Sequence, residues 1–189
     1  MTSESVRQSS NGPPEVSALL KEGRNQGECR QWLADMIRMH SHLSAAMGIM
    51  HPDMYRIGRE AIIKLWEGVS ASEATGTLDV LHLWTSIYNS LSVMANQCST
   101  CHLDKMGKPE WFDQLLTVGN YQDLCIVFPT LQLAFNYPPG TMRAFYSKLL
   151  VHGAPCVDGD RGCIAWYMQD KIHRVMNVPK CNYAHLEGL

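Results

Sequence analysis

The chain has 189 residues, a net charge of −2, 46% hydrophobic residues and 18% charged residues. That suits one globular, soluble domain with a real core. It argues against several classes: no basic excess points to nucleic acid, no apolar run approaches a membrane span, and the polar start MTSESVRQSSNGPP lacks the apolar core of a secretory signal.

Residues 1–14 read as a disordered tail. Residues 15–189 read as a single domain, helical over about 15–75 and strand-rich over about 78–175. Trp32, Met36, Met39, Leu43 and Met47 recur at spacings of three and four, which predicts one apolar helical stripe. His51-Pro52-Asp53 predicts a helix start, with Met54, Ile57, Ala61, Ile62 and Leu65 on one face and Gly68 as the stop. From about Leu78 short apolar or alternating runs follow one another: LDVLHLW, SLSVMAN, DLCIVFP, LQLAFNY, MRAFYSKLLVH and GCIAWYM. Turn signals separate several of them, at Gly107-Lys108-Pro109, Gly119-Asn120, Pro138-Pro139-Gly140 and Asp158-Gly159-Asp160. Between them PEWFDQLLTVGN reads as a helical insert, with Pro109 in its first turn and Trp111, Leu115 and Val118 on one side. Helices before strands predict an α+β fold with helices packed on one face of a sandwich or barrel. The cysteines at positions 29, 98, 101, 125, 156, 163 and 181 are odd in number and follow no secretory signal, so reduced thiols in an intracellular compartment are expected.

His102-Leu103-Asp104, followed by His152 and Arg161, carries the chemistry. A His and an Asp two apart on a strand point to one side, and a second His on a neighbouring strand completes two imidazoles and one carboxylate, the facial set of non-haem Fe(II) oxygenases. Arg161 suits a bidentate hold on an anionic cosubstrate. Singly these are weak signals, since H-x-D arises by chance, a lone His is more often structural and a lone Arg is usually a surface charge. In order they fall where a double-stranded β-helix (jelly-roll, cupin-like) needs them. His102 and Asp104 lie at a strand end, His152 ends MRAFYSKLLVH, and Arg161 opens GCIAWYM across a tight turn, beside His152 on an adjacent strand. Each imidazole should donate its other ring N–H to an acceptor that the sequence does not identify. Two rival patterns overlap: Cys98-Ser99-Thr100-Cys101-His102 fits c-type haem attachment, and Cys98, Cys101, His102 and Cys156 form a conceivable zinc set. Lys105, Lys108, Arg143 and Lys148 are scattered candidates for phosphate contacts. Tyr88, Trp111, Phe145 and Tyr146 are candidates to stack a base, although both kinds of residue are more often a solvated face or core.

The blocks EWFDQL after the metal motif, NYPPGT, LxxHG, AWYMQD and the upstream HPDMYRIGREAIIKL complete the picture. Over about residues 50–175 the chain resembles the 2-oxoglutarate/Fe(II) dioxygenase domain of the TET (ten-eleven translocation) and base-J-binding-protein type, and looks closest to its fungal branch. The resemblance implies Fe(II) held by His102, Asp104 and His152, with 2-oxoglutarate gripped by Arg161 and touched from position 163. It also implies O2 as oxidant and a methylated base in DNA, 5-methylcytosine or N6-methyladenine, flipped into the pocket. A DNA substrate would place the protein in the nucleus. Two positions depart from the family's pattern: Leu103 stands where Arg is common, and Cys163 where a small hydroxyl is common. Neither change removes a metal ligand. The alternatives are a 2-oxoglutarate dioxygenase acting on a non-nucleic-acid substrate, and a catalytically weak member acting as an interaction module. The oligomeric state is left open.

Overall fold

The computed structural model describes residues 3–5, 16–17, 20, 26–71 and 75–185. Of the tail expected to be disordered, only β1 (Ser3–Ser5) is among them, and the rest of that expectation lies outside the described residues. The chain divides into two compact units, one built on residues 90–169 and the other on residues 4–89 and 170–189.

The helical unit contains α1 (Gln26–Asp35), α2 (Ile37–Met50), α3 (Pro52–Ala71), α4 (Thr75–Leu83) and α5 (Asp170–Val175). The single stripe expected over Trp32–Met47 is broken at Met36, whose N–H is shared between the carbonyls of Trp32 and Leu33. The break shifts the phase, so Leu33, Leu43 and Met47 are buried while Met39 is 38% exposed. α3 begins where His-Pro-Asp predicts: Pro52 takes a position whose N–H needs no partner, and the His51 ring accepts the Met54 N–H at 3.3 Å. Met54, Ile57, Ala61, Ile62 and Leu65 are buried, as their spacing requires. Gly68 does not stop this helix, which runs on to Ala71; nothing lies near its Cβ position, and it plays no terminating role. LDVLHLW is not a strand but the body of α4. Val80 packs with Leu33, and the next residue, Leu81, packs with Leu65 and Val69. No described helix is long and apolar enough to cross a membrane.

The other unit holds β2 (Ser90–Ala95), β3 (Ser99–His102), β4 (Asp113–Tyr121), β5 (Cys125–Phe128), β6 (Leu133–Asn136), β7 (Met142–Phe145), β8 (His152–Ala154) and β9 (Gly159–Tyr167). Antiparallel pairing sets β2-β9-β4-β7 side by side, and β3-β8-β5-β6 in a second sheet. Tyr121 and Phe145 from the first sheet and Ile126, Phe128 and Ala154 from the second share one apolar cluster with Leu124 and Tyr137. The helix expected over PEWFDQLLTVGN is instead β4, which pairs with both β7 and β9. Its first residues are covered on both faces, so Asp113, Gln114, Leu116 and Thr117 are all buried and the usual alternation is lost. Gly119, expected to be a turn, lies within β4 at φ +135°, where a Cβ would sit 2.0 Å from the Asp160 carbonyl oxygen. MRAFYSKLLVH also divides: β7 ends at Phe145, a turn closes on the Tyr146 carbonyl, and His152 opens β8 rather than ending the earlier strand.

The cysteines are not all reduced. Cys98, just before β3, is bonded to Cys156, just after β8, because the antiparallel pairing of those strands brings their outer ends together. Cys29, Cys101, Cys125, Cys163 and Cys181 take no part in a disulfide bond. The bond also removes the conceivable zinc set, since Cys98 and Cys156 have no thiolate to give.

Candidate metal centre

His102 and His152 are opposed partners in the β3–β8 ladder, with ring centroids 4.6 Å apart. Asp104 follows in the loop after β3, where its N–H bonds the Ser147 carbonyl at 3.2 Å. Its carboxylate faces both rings: Oδ1 is 3.4 Å from His102 Nε2, and Oδ2 is 3.8 Å from His152 Nε2. One ligand atom from each of the three residues lies within 4.8 Å of the others.

The far side of each ring is tied down. His102 Nδ1 lies 2.7 Å from the Thr100 carbonyl, and His152 Nδ1 lies 2.9 Å from that of Leu150. A carbonyl only accepts, so each Nδ1 carries the proton and each Nε2 keeps its lone pair. These are the acceptors the sequence did not identify, each two residues before its histidine. His152 is buried, with the Phe145 ring 4.8 Å away in edge contact. Burial lowers its pKa, against the opposing pull of the Leu150 carbonyl and Asp104, which favours the neutral imidazole that a metal requires. Two lone pairs and a carboxylate thus converge on one point, an arrangement that a cation relieves. His102 and Asp104 are 44% and 41% exposed at their side chains, so the site opens on their side.

Gly153 lets the two strands approach this closely. A Cβ there would lie 2.8 Å from the Ser99 carbonyl oxygen and 3.0 Å from the Cys101 amide nitrogen, both backbone atoms of β3. Gly153→Ala is expected to push β3 off β8, parting the two histidines and weakening Fe(II) binding by roughly 10- to 100-fold, the range seen when support for a metal ligand is lost. Fe(II) titration beside the wild type checks it; equal affinities would mean that the strands give way without moving the ligands.

Arg161 is the third residue of β9 and is only 7% exposed. The structure corrects its expected neighbour: β9 lies between β2 and β4, whereas β8 belongs to the other sheet, so Arg161 and His152 are not on adjacent strands. Its N–H is held by Asn96 Oδ1 at 2.7 Å, its Nε donates to Thr117 Oγ1 at 3.3 Å, and one terminal nitrogen donates to the Gln97 carbonyl at 3.1 Å. The guanidinium lies 5.8 Å from the centre of the Tyr137 ring. Among the described residues no carboxylate pairs with it. Cys163, one strand period further on, is also buried, and burial raises its pKa while Arg161 pulls the other way.

Two residues that the sequence reading passed over support Asp104. The Ser147 hydroxyl donates to the buried carboxyl of Asp113, and the Ser147 carbonyl accepts from Asp104. The candidates for nucleic-acid contact fare unevenly. Tyr88, Trp111 and Phe145 are buried, while Tyr146 is half-buried and stacked on Phe112 at 4.2 Å. Lys148 is bonded to the carbonyls of Lys105 and Gly107, and Arg143 to that of Asn136.

The sequence matches the Tet_JBP family, described as the oxygenase domain of the 2OGFeDO superfamily, over residues 10–170. Among solved structures the fold is similar to NgTET1 in complex with 5mC DNA, with a TM-score of 0.58 and 14% identity, over 90% of this chain and 60% of that one. The chain therefore spans about three-fifths of the length of that protein, and the likeness is one of fold. No curated protein matches the sequence.

Proposed function

Because this chain belongs to the Tet_JBP family of the 2OGFeDO superfamily, whose members are Fe(II)- and 2-oxoglutarate-dependent dioxygenases, we propose that it oxidises a methylated base in DNA, 5-methylcytosine or N6-methyladenine. In this reading residues 15–189 form one dioxygenase domain of the fungal branch, whose two sheets make a double-stranded β-helix. His102, Asp104 and His152 hold the iron, while Arg161 grips the far carboxylate of 2-oxoglutarate beside Cys163. A DNA substrate puts the protein in the nucleus.

The observation that carries the reading is the pairing of two half-sites in one unit: a cation-seeking cluster of two imidazoles and a carboxylate, and a buried guanidinium with no carboxylate of its own. A buried unpaired charge is costly, so an anionic ligand is the natural complement of Arg161. When bound, iron with 2-oxoglutarate and O2 supplies oxidising power, with decarboxylation to succinate and CO2 accompanying hydroxylation of a C–H bond. Thr117 and the Gln97 carbonyl aim the guanidinium. The Thr100 and Leu150 carbonyls hold the imidazoles in their metal-binding tautomer, and Phe145 keeps water off His152. DNA as substrate is supported by the fold likeness to a protein solved with 5mC DNA. The net charge of −2 and the internally bonded Lys148 and Arg143 favour instead a dioxygenase acting on a non-nucleic-acid substrate.

Succinate release decides between them. Anaerobically purified protein loaded with Fe(II) and 2-oxoglutarate is expected, on admitting O2, to release succinate faster with methylated than with unmethylated oligonucleotides. Equal rates would assign another substrate, and no succinate in any arm would overturn the dioxygenase reading in favour of an interaction module. Arg161→Ala should weaken 2-oxoglutarate binding by roughly 10- to 100-fold, the worth of hydrogen bonds to a charged group, with iron still bound.

A further inference from the structure

Tyr137 lies just after β6 and its side chain is fully buried. Its backbone is fixed on both sides: its N–H donates to the Leu124 carbonyl at 2.8 Å, and its own carbonyl accepts from the Tyr121 hydroxyl at 2.9 Å. Tyr121 in turn is bonded to Thr117, the residue that receives Arg161 Nε. The ring is thereby held against the Arg161 guanidinium. The hydroxyl at its tip is not provided for. It meets the Cys163 thiol, a weak partner, and otherwise makes no hydrogen bond. Burial raises its pKa, so it keeps its proton and remains a donor.

Buried hydroxyls are almost always hydrogen-bonded, and one left over beside an unpaired guanidinium points to a missing acceptor. We propose that Tyr137 is a second cosubstrate-binding residue, its phenolic O–H donating to the far carboxylate of 2-oxoglutarate alongside the Arg161 guanidinium. Cys163 sits on the same side of β9 as Arg161 but brings only a thiol, so the neutral donor at this end of the site comes from Tyr137. The inference rests on the reading of Arg161 given above and adds the group that completes its carboxylate pocket.

Equilibrium binding tests it without turnover. The Fe(II) protein is titrated anaerobically with 2-oxoglutarate, and separately with 2-oxopentanoate, which keeps the chelating end and replaces the far carboxylate by a methyl group. The visible band formed on chelation reports occupancy. Tyr137→Phe is expected to weaken 2-oxoglutarate binding about tenfold, the worth of one hydrogen bond to a charged acceptor, and to leave 2-oxopentanoate and Fe(II) binding unchanged. The ring stays in place in this variant, so its packing on Arg161 is retained. An equal loss for both 2-oxo acids would make Tyr137 merely structural and overturn the inference, as would no loss for either. Wild-type protein that binds iron but not 2-oxoglutarate would overturn the reading of Arg161 as well, whereas wild-type binding with an unaffected Tyr137→Phe variant would overturn this inference alone.

Discussion

Asp104→Ala is expected to abolish iron binding and succinate release together. Asp104 is the one anionic member of the cluster, and its two oxygens face the Nε2 atoms of both histidines. Without it two neutral imidazoles remain, which bind Fe(II) weakly and leave its full charge uncompensated. The loss should exceed about 100-fold in affinity, the upper end of what removing mere support for a ligand costs. The fold should survive, because the side chain is 41% exposed and sits in a loop whose backbone bond to Ser147 the alanine retains. Fe(II) titration beside a thermal melt of the metal-free protein separates the two effects. A variant that melts like wild type and still binds iron at wild-type affinity would move the metal centre away from this cluster.

The cluster was legible because its signals are local or ordered along the chain. His102 does end a strand, and His152 does meet it across a ladder. The strand neighbours of Arg161 were not legible, since strand order depends on pairings between distant segments: β9 pairs with β2 and β4, not with β8. PEWFDQLLTVGN failed for a physical reason. Trp111, Leu115 and Val118 imitate a helical stripe, while the buried Asp113, Gln114 and Thr117 hide the strand, because polar residues inside a core break the expected alternation. The partners of Asp113 and Thr117, which are Ser147 and Arg161, come from segments far along the chain. LDVLHLW was too short to separate the two periods, and α4 forms because its adjacent Val80 and Leu81 each have an apolar cluster to enter. The Cys98–Cys156 bond was hidden by the same non-locality: its partners are 58 residues apart and meet only once β3 and β8 pair.

Asp113 is where the fold and the site are joined most tightly, and its titration should be measurable. Burial pushes its pKa up to about 8, with the Asp104 carboxylate adding to the rise and the Ser147 hydroxyl opposing it. In the unfolded chain it returns to about 3.9. Below about pH 4 both states hold the proton, and stability is fully present. As the pH rises from about 4 to about 8 the unfolded chain releases the proton while the folded protein retains it, so stability falls; above about 8 both are ionised and the loss is complete. Asp113→Asn keeps an acceptor for Ser147 and cannot ionise. The variant should therefore gain on the wild type across this window, by several kcal/mol at the order-of-magnitude level for a shift of this size. Urea unfolding of the metal-free proteins at a series of pH values checks it, and parallel curves would show that Asp113 is ionised in the folded state. Asp113→Ala differs in kind. It frees the Ser147 hydroxyl, loosens the segment whose carbonyl holds Asp104, and should lower iron affinity by about tenfold, whereas Asp113→Asn should not.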